Sequence, residues 1–520
     1  MSLFKQLSIV LIFLAVTNQL AAQCPVIPQP QTAAKQTAIF QLSNKTAFVV
    51  TDKKFKDAAY YLQQKLLEQF HIAVSMQQTS QHTVIRWQEA KQKDLKAEGY
   101  NINMSANEIV ITANDEQGAF YAAVSLLQLF NSSKQQHENL LVDCWNITDA
   151  PLYGWRGLML DESRHFYGKE KVKSILDWMA FYKLNRFHWH LTDEPGWRLE
   201  IKKYPLLTLV GGIGNYTNAF ATATFYTQED VREIVRYAAE RNIVVIPEID
   251  MPGHATAANK AYPQYSGGGS DKHPDFTFHP AKEETYSYLT TILRETNALF
   301  PSGMLHLGGD EVSFGNEKWA ADPLVQALMK KQNLATVNKV EQYFMQRIAD
   351  SVFSMHAKVL AWDEVAESGL PVDKTILFWW RHDQPKQLQT ALSKGYDVVL
   401  CPRLPLYFDF VQDSTHTVGR KWGGKLFNPL KNVYDFAVTN LSPVSSSNSK
   451  QVLGIQANVW TEAMQDEQRL DYMLFPRIAA LAEAAWTSRK NFDVFSQNLT
   501  KHFVLYRKAG INYYHPVQTK

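Results

Sequence analysis

The sequence predicts an α/β protein in which a small α+β domain precedes a (β/α)8 barrel. Three observations support this fold class. Between residues 151 and 510, eight β-rich segments alternate with segments of helical apolar spacing, which is typical of parallel βα units. Acidic and aromatic residues follow the carboxyl ends of these β-rich segments, where barrels carry their active sites. A doubly wound sheet is the alternative, but no glycine-rich nucleotide loop follows an early strand.

The first 22 residues have the order of a secretory signal peptide. Lys5 precedes the apolar run Leu7–Val16, and small residues follow up to Ala22. We therefore expect residues 1–22 to be removed and the protein to be exported, either to the periplasm or out of the cell. The apolar run is too short for a permanent membrane helix, and no other stretch of the sequence is long and apolar enough to span a bilayer.

Residues 23–37 contain several Pro and Gln residues and are predicted to form a linker. Gln23 is bulky at a position where a lipoprotein signal has Ala, Gly or Ser, so we expect no lipid anchor on Cys24. The other two cysteines are Cys144 and Cys401, and three cysteines are too few for a fold built on disulfides. The sequence leaves open whether these two residues pair.

Residues 38–150 are predicted to form the small α+β domain, which has no evident catalytic cluster. Two strand-like segments, Tyr100–Met104 and Glu108–Thr112, are separated by a turn and predict an antiparallel pair. A further strand and two amphipathic helices are predicted at Phe48–Thr51, Asp57–His71 and Gly118–Phe130.

Residues 151–510 are predicted to form the barrel. The eight predicted strands are Gly157–Leu160, Arg186–Leu191, Ile243–Ile249, Met304–Leu307, Lys358–Trp362, Thr375–Trp379, Asp397–Cys401 and Leu453–Val459. The predicted helices are Lys171–Tyr182, Gln228–Arg241, Glu283–Phe300, Val337–Phe353, Pro385–Leu392 and a closing helix, Leu470–Trp486.

The composition narrows the classes of partner. A net charge of +2 over 520 residues gives no electrostatic footprint for nucleic acid. The 13 Trp and 23 Tyr residues offer flat faces that can stack on sugar rings, although a large core also uses many aromatics. At the predicted strand ends these aromatics lie beside carboxylic acids. This mixture fits a carbohydrate pocket better than a phosphate site, which would need basic groups.

The strongest chemical signal is the segment His306–Glu311. Its two adjacent acids, Asp310 and Glu311, follow a predicted strand and cannot both face the core. Gly308 and Gly309 would let the backbone run close to a ligand. A bare Asp-Glu dipeptide is usually a solvated turn, but the preceding strand and the two glycines favour a catalytic pair.

Two histidines give the main rival hypothesis. His188 and His190 lie on the same side of a predicted strand, and with Asp193, Glu248 and His254 they could form the site of a metal-dependent hydrolase. Core histidines are a more common explanation, and a metal site gives no role to the tryptophans or to the acidic dipeptide. We therefore expect no metal and no cofactor. A non-catalytic glycan-binding protein is the third hypothesis.

The segment His306–Glu311 is similar to the His-x-Gly-Gly-Asp-Glu motif of glycoside hydrolase family 20, the β-hexosaminidases. The resemblance covers most of the chain and is looser in the N-terminal domain. The other segments that resemble family motifs, in family order, are Gly154–Gly157, Asp161 with Ser163–Phe166, Asn185–Asp193, Pro247–His254 and Gly454–Glu462.

The resemblance implies an exo-acting, retaining hydrolase that removes terminal N-acetylglucosamine or N-acetylgalactosamine from a glycan or chito-oligosaccharide. Such enzymes use no protein nucleophile. The acetamide oxygen of the substrate attacks C1 and gives an oxazolinium ion. Glu311 is then the general acid and later the base, and Asp310 holds the acetamide N–H. The sequence neither chooses between the two sugars nor names the natural glycan.

The resemblance also assigns contacts with the sugar hydroxyls. Arg156 would bind the 3- and 4-hydroxyls, although a salt bridge within the barrel is the alternative for this residue. Glu462 and Asp409 would bind the 4- and 6-hydroxyls and block any extension beyond the terminal sugar. Tyr407 would donate a hydrogen bond to the acetamide oxygen and orient it for attack.

The remaining implied residues surround the acetamide or support the acid. Asp193 and His254 would support the catalytic acid through hydrogen bonds. Adjacent residues on a strand face opposite ways, and the register is uncertain from the sequence. The tryptophans that would enclose the acetamide are therefore Trp362, Trp460 and either Trp379 or Trp380.

Overall fold

The computed structural model describes residues 23–77, 82–90, 95–421 and 426–516. The predicted signal peptide, residues 1–22, lies outside the described residues. The described chain forms an N-terminal sheet with two helices, followed by a closed barrel of eight parallel strands with helices around it. The predicted fold class is therefore confirmed.

All eight predicted barrel strands are present. Each strand pairs in parallel with the next one along the chain, and the eighth pairs with the first and closes the barrel. In chain order the strands are Trp155–Asp161, Arg186–His190, Val244–Glu248, Met304–His306, Lys358–Trp362, Thr375–Trp379, Asp397–Leu400 and Val452–Val459.

Helices lie between most of these strands. The helix Gln228–Ala239 shows how the sequence fixes one of them, since Thr227 and Asp230 cap each other's backbone N–H groups while Val231 and Ile234 are buried. The helices of the barrel domain are Lys169–Phe181, Leu206–Leu209, Gln228–Ala239, Thr256–Ala261, Glu283–Leu299, Pro323–Gln332, Val337–Ser354, Pro385–Lys394, Arg403–Leu406, Leu430–Asp435, Glu467–Leu474, Arg477–Trp486 and Phe492–Lys508.

The closing helix differs from its prediction. The sequence pattern predicts one helix over Leu470–Trp486, but the structure has two, Glu467–Leu474 and Arg477–Trp486. Pro476 lies at the break, where it has no N–H to donate to a helical carbonyl. Apolar periodicity continues through the break because both helices bury a face, so the pattern did not reveal it.

The N-terminal sheet has mixed pairing. Its strands Tyr100–Met104 and Glu108–Ala113 form the predicted antiparallel pair, and its two helices, Lys56–Phe70 and Glu116–Asn131, are also those predicted. The other strands of the sheet are Thr32–Leu42, Ala47–Val50, Ser75–Met76, Val84–Glu89, Lys134–Gln136 and Asn139–Asp149.

The predicted linker, residues 23–37, is an ordered part of the fold. Ile27 is fully buried, and its backbone N–H donates to Oε1 of Gln128 in the N-terminal domain at 2.8 Å. The backbone N–H of Gln29 donates to Glu483 of the barrel domain, also at 2.8 Å. The linker prediction was wrong because composition alone does not reveal that this segment packs against both domains.

Two other expectations concern cysteines and membranes. Cys24, Cys144 and Cys401 are all buried and free, so the structure contains no Cys144–Cys401 bridge. Within residues 23–516, as far as the structure describes them, no helix combines the length and the apolar character needed to cross a bilayer.

Candidate active site

The turn after the fourth barrel strand brings Asp310 and Glu311 to the barrel mouth. Gly308 and Gly309 have positive φ values of 67° and 90°, a conformation that glycine adopts without strain. A Cβ on Gly308 would lie 1.7 Å from Oδ1 of Asp250, so this position also lacks space for a larger residue. The side chains of Asp310 and Glu311 are 13% and 34% exposed, so a ligand can reach both carboxylates.

Asp310 and Glu311 share a histidine. Nε2 of His254 lies 3.6 Å from Oδ2 of Asp310 and 3.7 Å from Oε2 of Glu311. Burial and the neighbouring Asp250 raise the pKa of Asp310 well above its usual value, while His254 acts to lower it. Within the described chain, the buried Oδ1 atom of Asp310 has no hydrogen-bond partner, so this atom is available to a ligand.

Asp193 holds the other side of the His254 ring. Its Oδ1 lies 3.0 Å from Nδ1 of His254, and its Oδ2 lies 2.7 Å from Arg164 and 2.8 Å from Nε2 of His190. Burial acts to raise the pKa of Asp193, but the positive charges of Arg164 and His254 still hold it well below its usual value. Asp193 and Asp310 likewise hold the pKa of His254 well above its usual value, against burial. Of the two residues predicted to support the acid, His254 therefore lies beside Glu311, and Asp193 reaches it only through His254.

Glu248 lies at the centre of the barrel interior, under the mouth. Its Oε2 lies 2.5 Å from Nδ1 of His190 and 3.0 Å from Nε2 of His188. Its Oε1 lies 3.0 Å from Nδ1 of His306 and accepts the indole N–H of Trp362 at 2.9 Å. Although burial acts to raise it, the three histidines hold the pKa of Glu248 well below its usual value. The sequence grouped Glu248 with His188 and His190 only as possible metal ligands, and no pattern indicated that His306 and Trp362 would join them.

These contacts argue against the metal hypothesis. Among the residues that the structure describes, four groups of histidine and acidic side chains lie close enough together to surround an ion. Two groups contain Asp193, where Arg164 lies 2.7 Å away and already supplies a positive charge, and a third surrounds Glu248, to which Trp362 donates an N–H. A cation would face an unfavourable guanidinium charge in the first two groups and an N–H dipole in the third. In the fourth group, Asp250, His254 and Asp310, the raised pKa of His254 favours a protonated ring, which cannot bind a metal.

Aromatic side chains cluster at the barrel mouth. The Trp380 and Tyr407 rings are nearly parallel, with an interplanar angle of 13° and centroids 6.4 Å apart. Trp460 lies 6.0 Å from both Tyr407 and Trp362 between ring centroids. Trp362 forms the floor because its indole donates down to Glu248.

The structure separates Trp379 from Trp380. Trp380 packs with Phe378 and Trp362 in the cluster that fills the barrel, whereas Trp379 belongs to the cluster between strands and helices. Phe378 and Trp380 are two residues apart, so they share the inward side of the strand. Trp380 therefore lines the mouth, and Trp379 does not.

Asp409 and Glu462 form a second acidic pair at the mouth. Nε of Arg420 lies 3.1 Å from Oδ2 of Asp409, and its terminal nitrogen donates to Oε1 of Glu462 at 3.2 Å. Burial raises the pKa of Asp409 to about 7; Arg420 acts to lower it and Glu462 to raise it. The Arg164 guanidinium lies 5.1 Å from the centroid of Trp460, at the same rim.

Arg156 does not lie at this site, so its predicted contact with the sugar is wrong. It is the second residue of the first barrel strand, at the amino end, and its side chain is fully buried. One guanidinium nitrogen lies 2.6 Å from Glu98 and donates to Tyr121, both in the N-terminal domain, and Nε donates to the carbonyl of Lys183. Arg156 therefore joins the two domains, as its alternative explanation suggested.

Arg164 is the arginine that sequence reasoning missed. It lies within the segment Ser163–Phe166, which follows the carboxyl end of the first strand at Asp161. The position of Arg164 in the sequence was the signal that could have identified it. Residues at a barrel mouth follow the carboxyl end of their strand, as Arg164 does, whereas Arg156 lies near the start of the strand.

A cleft of about 500 Å³ opens beside Glu311 and Trp380. Neither Asp409 nor Glu462 is among its lining residues, so it extends from the acid away from the second acidic pair. Its side chains include several amides and an exposed aromatic ring, at Asn338, Gln342, Gln384, Gln387 and Phe314.

Two family models match the chain. The model described as glycosyl hydrolase family 20, catalytic domain, matches residues 153–489. The model described as glycosyl hydrolase family 20, domain 2, matches residues 23–150. Together they account for the barrel and the N-terminal sheet.

Individual relatives agree with these matches. The chain is 34% identical over 511 residues to a β-hexosaminidase of Porphyromonas gingivalis and 36% identical over 402 residues to one of Vibrio furnissii. The matches cover 95% and 74% of this chain, and the chain spans 64% of the length of each relative.

A solved structure shares the architecture. The chain is similar to an exo β-N-acetylglucosaminidase of Vibrio harveyi, solved with N-acetylglucosamine, with a TM-score of 0.88 and 30% identity. The match covers 95% of this chain and 79% of that one. From its two matched domains and these relatives, the chain belongs to glycosyl hydrolase family 20.

Proposed function

We propose that the protein is an exo-acting, retaining β-N-acetylhexosaminidase that removes terminal N-acetylglucosamine or N-acetylgalactosamine from glycans. The observation that carries the proposal is the pair Asp310 and Glu311, adjacent in the chain and partly exposed at the barrel mouth beside a cluster of tryptophans. The relatives named as hexosaminidases and the neighbour solved with N-acetylglucosamine support the same activity.

The substrate supplies the nucleophile in this proposal. The acetamide oxygen attacks C1, and the bond from C1 to the leaving oxygen breaks as Glu311 donates its proton to that oxygen. Asp310 accepts the acetamide N–H through its unoccupied buried oxygen and stabilises the positive charge of the oxazolinium ion. Glu311 then removes a proton from water, which attacks C1 from the leaving-group side. The bond between C1 and the oxazolinium oxygen breaks in this step and the acetamide is restored, so the configuration is retained.

The other pocket residues orient the sugar. Tyr407 donates its hydroxyl to the acetamide oxygen, and Trp362, Trp380 and Trp460 enclose the acetamide and the sugar face. Asp409, Glu462 and Arg164 bind the hydroxyls of the non-reducing end. The cleft beside Glu311 then receives the leaving group, and its amide side chains suit the hydroxyls of a glycan.

The two rival hypotheses receive less support. A metal-dependent hydrolase would need His188 and His190 as ligands, yet both histidines bind the carboxylate of Glu248. A non-catalytic glycan-binding protein would not need an acid and a supporting histidine at the pocket mouth.

Export is also part of the proposal. The signal-like order of residues 1–22 supports a periplasmic or secreted protein. Cell fractionation after expression in a Gram-negative host tests it, with removal of residues 1–22 measured by mass spectrometry of the exported chain. Accumulation of uncut protein in the cytoplasm would contradict export.

The activity is tested with nitrophenyl β-glycosides of N-acetylglucosamine, N-acetylgalactosamine and glucose. We expect release from the first two and none from the glucoside, which lacks the acetamide. On a substrate whose aglycone is a poor leaving group, Glu311→Gln should lower kcat at least about a hundredfold, because such an aglycone needs the proton of the general acid. Asp310→Asn should lower kcat by a similar factor. Wild-type rates in either folded variant, or equal hydrolysis of the glucoside, would refute the proposal.

A further inference from the structure

Arg420 bridges the second acidic pair. It contacts Asp409 at 3.1 Å and Glu462 at 3.2 Å. Its own side chain is 51% exposed, whereas that of Asp409 is only 4% exposed. Among the residues that the structure describes, no hydrogen bond is aligned on either Asp409 oxygen. A buried carboxylate with one cation beside it thus retains its acceptor capacity for a ligand.

The backbone holds Arg420 at this position. Its N–H donates to the carbonyl of Asp409, and its carbonyl accepts the N–H of Val411, each at 3.1 Å. Gly419, the preceding residue, has a φ of 125°, and a Cβ there would lie 2.6 Å from a methyl group of Val411. Because the close approach depends on a glycine, the loop is built to bring Arg420 against Asp409.

The charges around Asp409 make Arg420 important. The carboxylate of Glu462 lies near the buried Asp409 and raises its pKa. Arg477, which is fully buried, also faces Asp409 and assists ionisation, but it acts less strongly than Arg420. Arg164 faces Glu462 and Arg420 from the loop after the first strand.

We propose that Arg420 is a positioning residue that keeps Asp409 charged and holds Asp409 and Glu462 oriented to accept the hydroxyls of the terminal sugar. The inference rests on the proposed function, in which these two acids bind those hydroxyls. An ionised carboxylate is an acceptor at both oxygens, whereas the neutral acid carries a donor on one of them. Arg420 therefore sets the affinity for the sugar and leaves proton transfer at Glu311 unaffected.

The first test compares Michaelis parameters on a nitrophenyl N-acetyl-β-glucosaminide at pH 7. Arg420→Gln should raise KM about tenfold and change kcat less than about threefold, since one pKa unit changes the ionised fraction by up to tenfold. Arg420→Lys, which keeps the charge, should recover most of the affinity. Lys421→Gln is the matched control, because it removes a positive charge from the adjacent position, and it should behave like the wild type.

The second test measures the pH dependence of kcat/KM. In Arg420→Gln the acid limb that Asp409 governs should move to higher pH, because a lost positive charge favours the neutral acid. In an Asp409→Asn background the same substitution should leave the acid limb unchanged, because that variant has no titratable carboxyl at position 409.

Two results would overturn the inference. One is a KM in Arg420→Gln equal to that of the wild type, or a loss confined to kcat. The other is an equal displacement of the acid limb in the Asp409→Asn background. An inactive wild type on this substrate would instead overturn the proposed function, so the two failures are distinguishable.

Discussion

Nδ1 of His254 lies 3.0 Å from Oδ1 of Asp193, and this contact connects the catalytic pair to the buried charges of the barrel. The opposite ring nitrogen of His254 lies 3.6 Å from Asp310. Asp193 keeps the imidazole charged, and the charged imidazole opposes the effect of burial on Asp310. In the proposed mechanism Asp310 holds the acetamide, and Asp193 acts on this acid through His254.

Replacing Asp193 with Asn should narrow the pH–activity profile. The pKa of His254 should fall because it loses its main carboxylate partner, so the alkaline limb of kcat/KM moves to lower pH. The pKa of Asp310 should rise because a neutral His254 no longer opposes burial, so the acid limb moves to higher pH. At neutral pH the rate should fall at least about tenfold.

A pH series on purified protein, with the exposed substitution Asp373→Asn as control, measures both limbs. A profile in Asp193→Asn that keeps its width would show that the ionisation of His254 does not control Asp310.

The barrel strands were predictable, but the orientation of single side chains was not. Eight β-rich segments alternating with helices fixed the fold class, because few other architectures have that order. Trp379 and Trp380 are neighbours, and a shift of one residue exchanges the inward and outward faces of a strand. That register is set by the pairing of this strand with both of its neighbours, such as Phe378 with Trp362 and Trp379 with Leu400.

Matched substitutions of Trp379 and Trp380 should have different consequences. Trp380→Ala should raise KM and lower kcat together, because the pocket loses a wall beside Glu311, with kcat/KM reduced by about a hundredfold. Trp379→Ala should leave a cavity between strands and helices and lower the free energy of unfolding by about 3–5 kcal/mol. Kinetics and denaturant unfolding of both variants measure this separation. Similar kinetic losses in the two variants would contradict the assignment.

The two arginines of the first strand region show a different limit of sequence reasoning. Arg156 and Arg164 lie eight positions apart, in segments that both resemble family motifs. Residue type and context favoured Arg156, but the strand begins at Trp155, so Arg156 lies at the end remote from the mouth. The partner of Arg156, Glu98, comes from another domain, and such a distant contact leaves no local pattern.

Arg156→Met should therefore affect stability and Arg164→Met should affect activity. The first leaves the partly buried Glu98 without its cation and should cost about 3 kcal/mol of unfolding free energy, with kcat and KM unchanged below the unfolding transition. The second removes the cation from Asp193 and the proposed contact with the sugar, and should reduce kcat/KM at least about a hundredfold. Thermal unfolding and steady-state kinetics, measured on both variants, distinguish the effect on stability from the effect on activity. A catalytic loss in folded Arg156→Met would restore the original assignment.

The glycines at the two ends of the fourth strand provide a control for backbone strain. Gly303 and Gly308 have similar φ values, 62° and 67°, so an alanine at either position carries a left-handed strain of about 1–2 kcal/mol. A Cβ on Gly303 would meet nothing within 4 Å, whereas a Cβ on Gly308 would lie 1.7 Å from Asp250.

Gly303→Ala should therefore lower the stability by about 1 kcal/mol and leave the kinetics unchanged. Gly308→Ala must displace Asp250 or the turn that carries Asp310 and Glu311, so it should abolish measurable turnover even where the protein stays folded. Circular dichroism, thermal unfolding and rate measurements on both variants test this difference. If Gly308→Ala kept the wild-type rate, the mouth would tolerate a displaced acidic pair. Close placement of Asp310 against Asp250 and His254 would then not be what sets the activity.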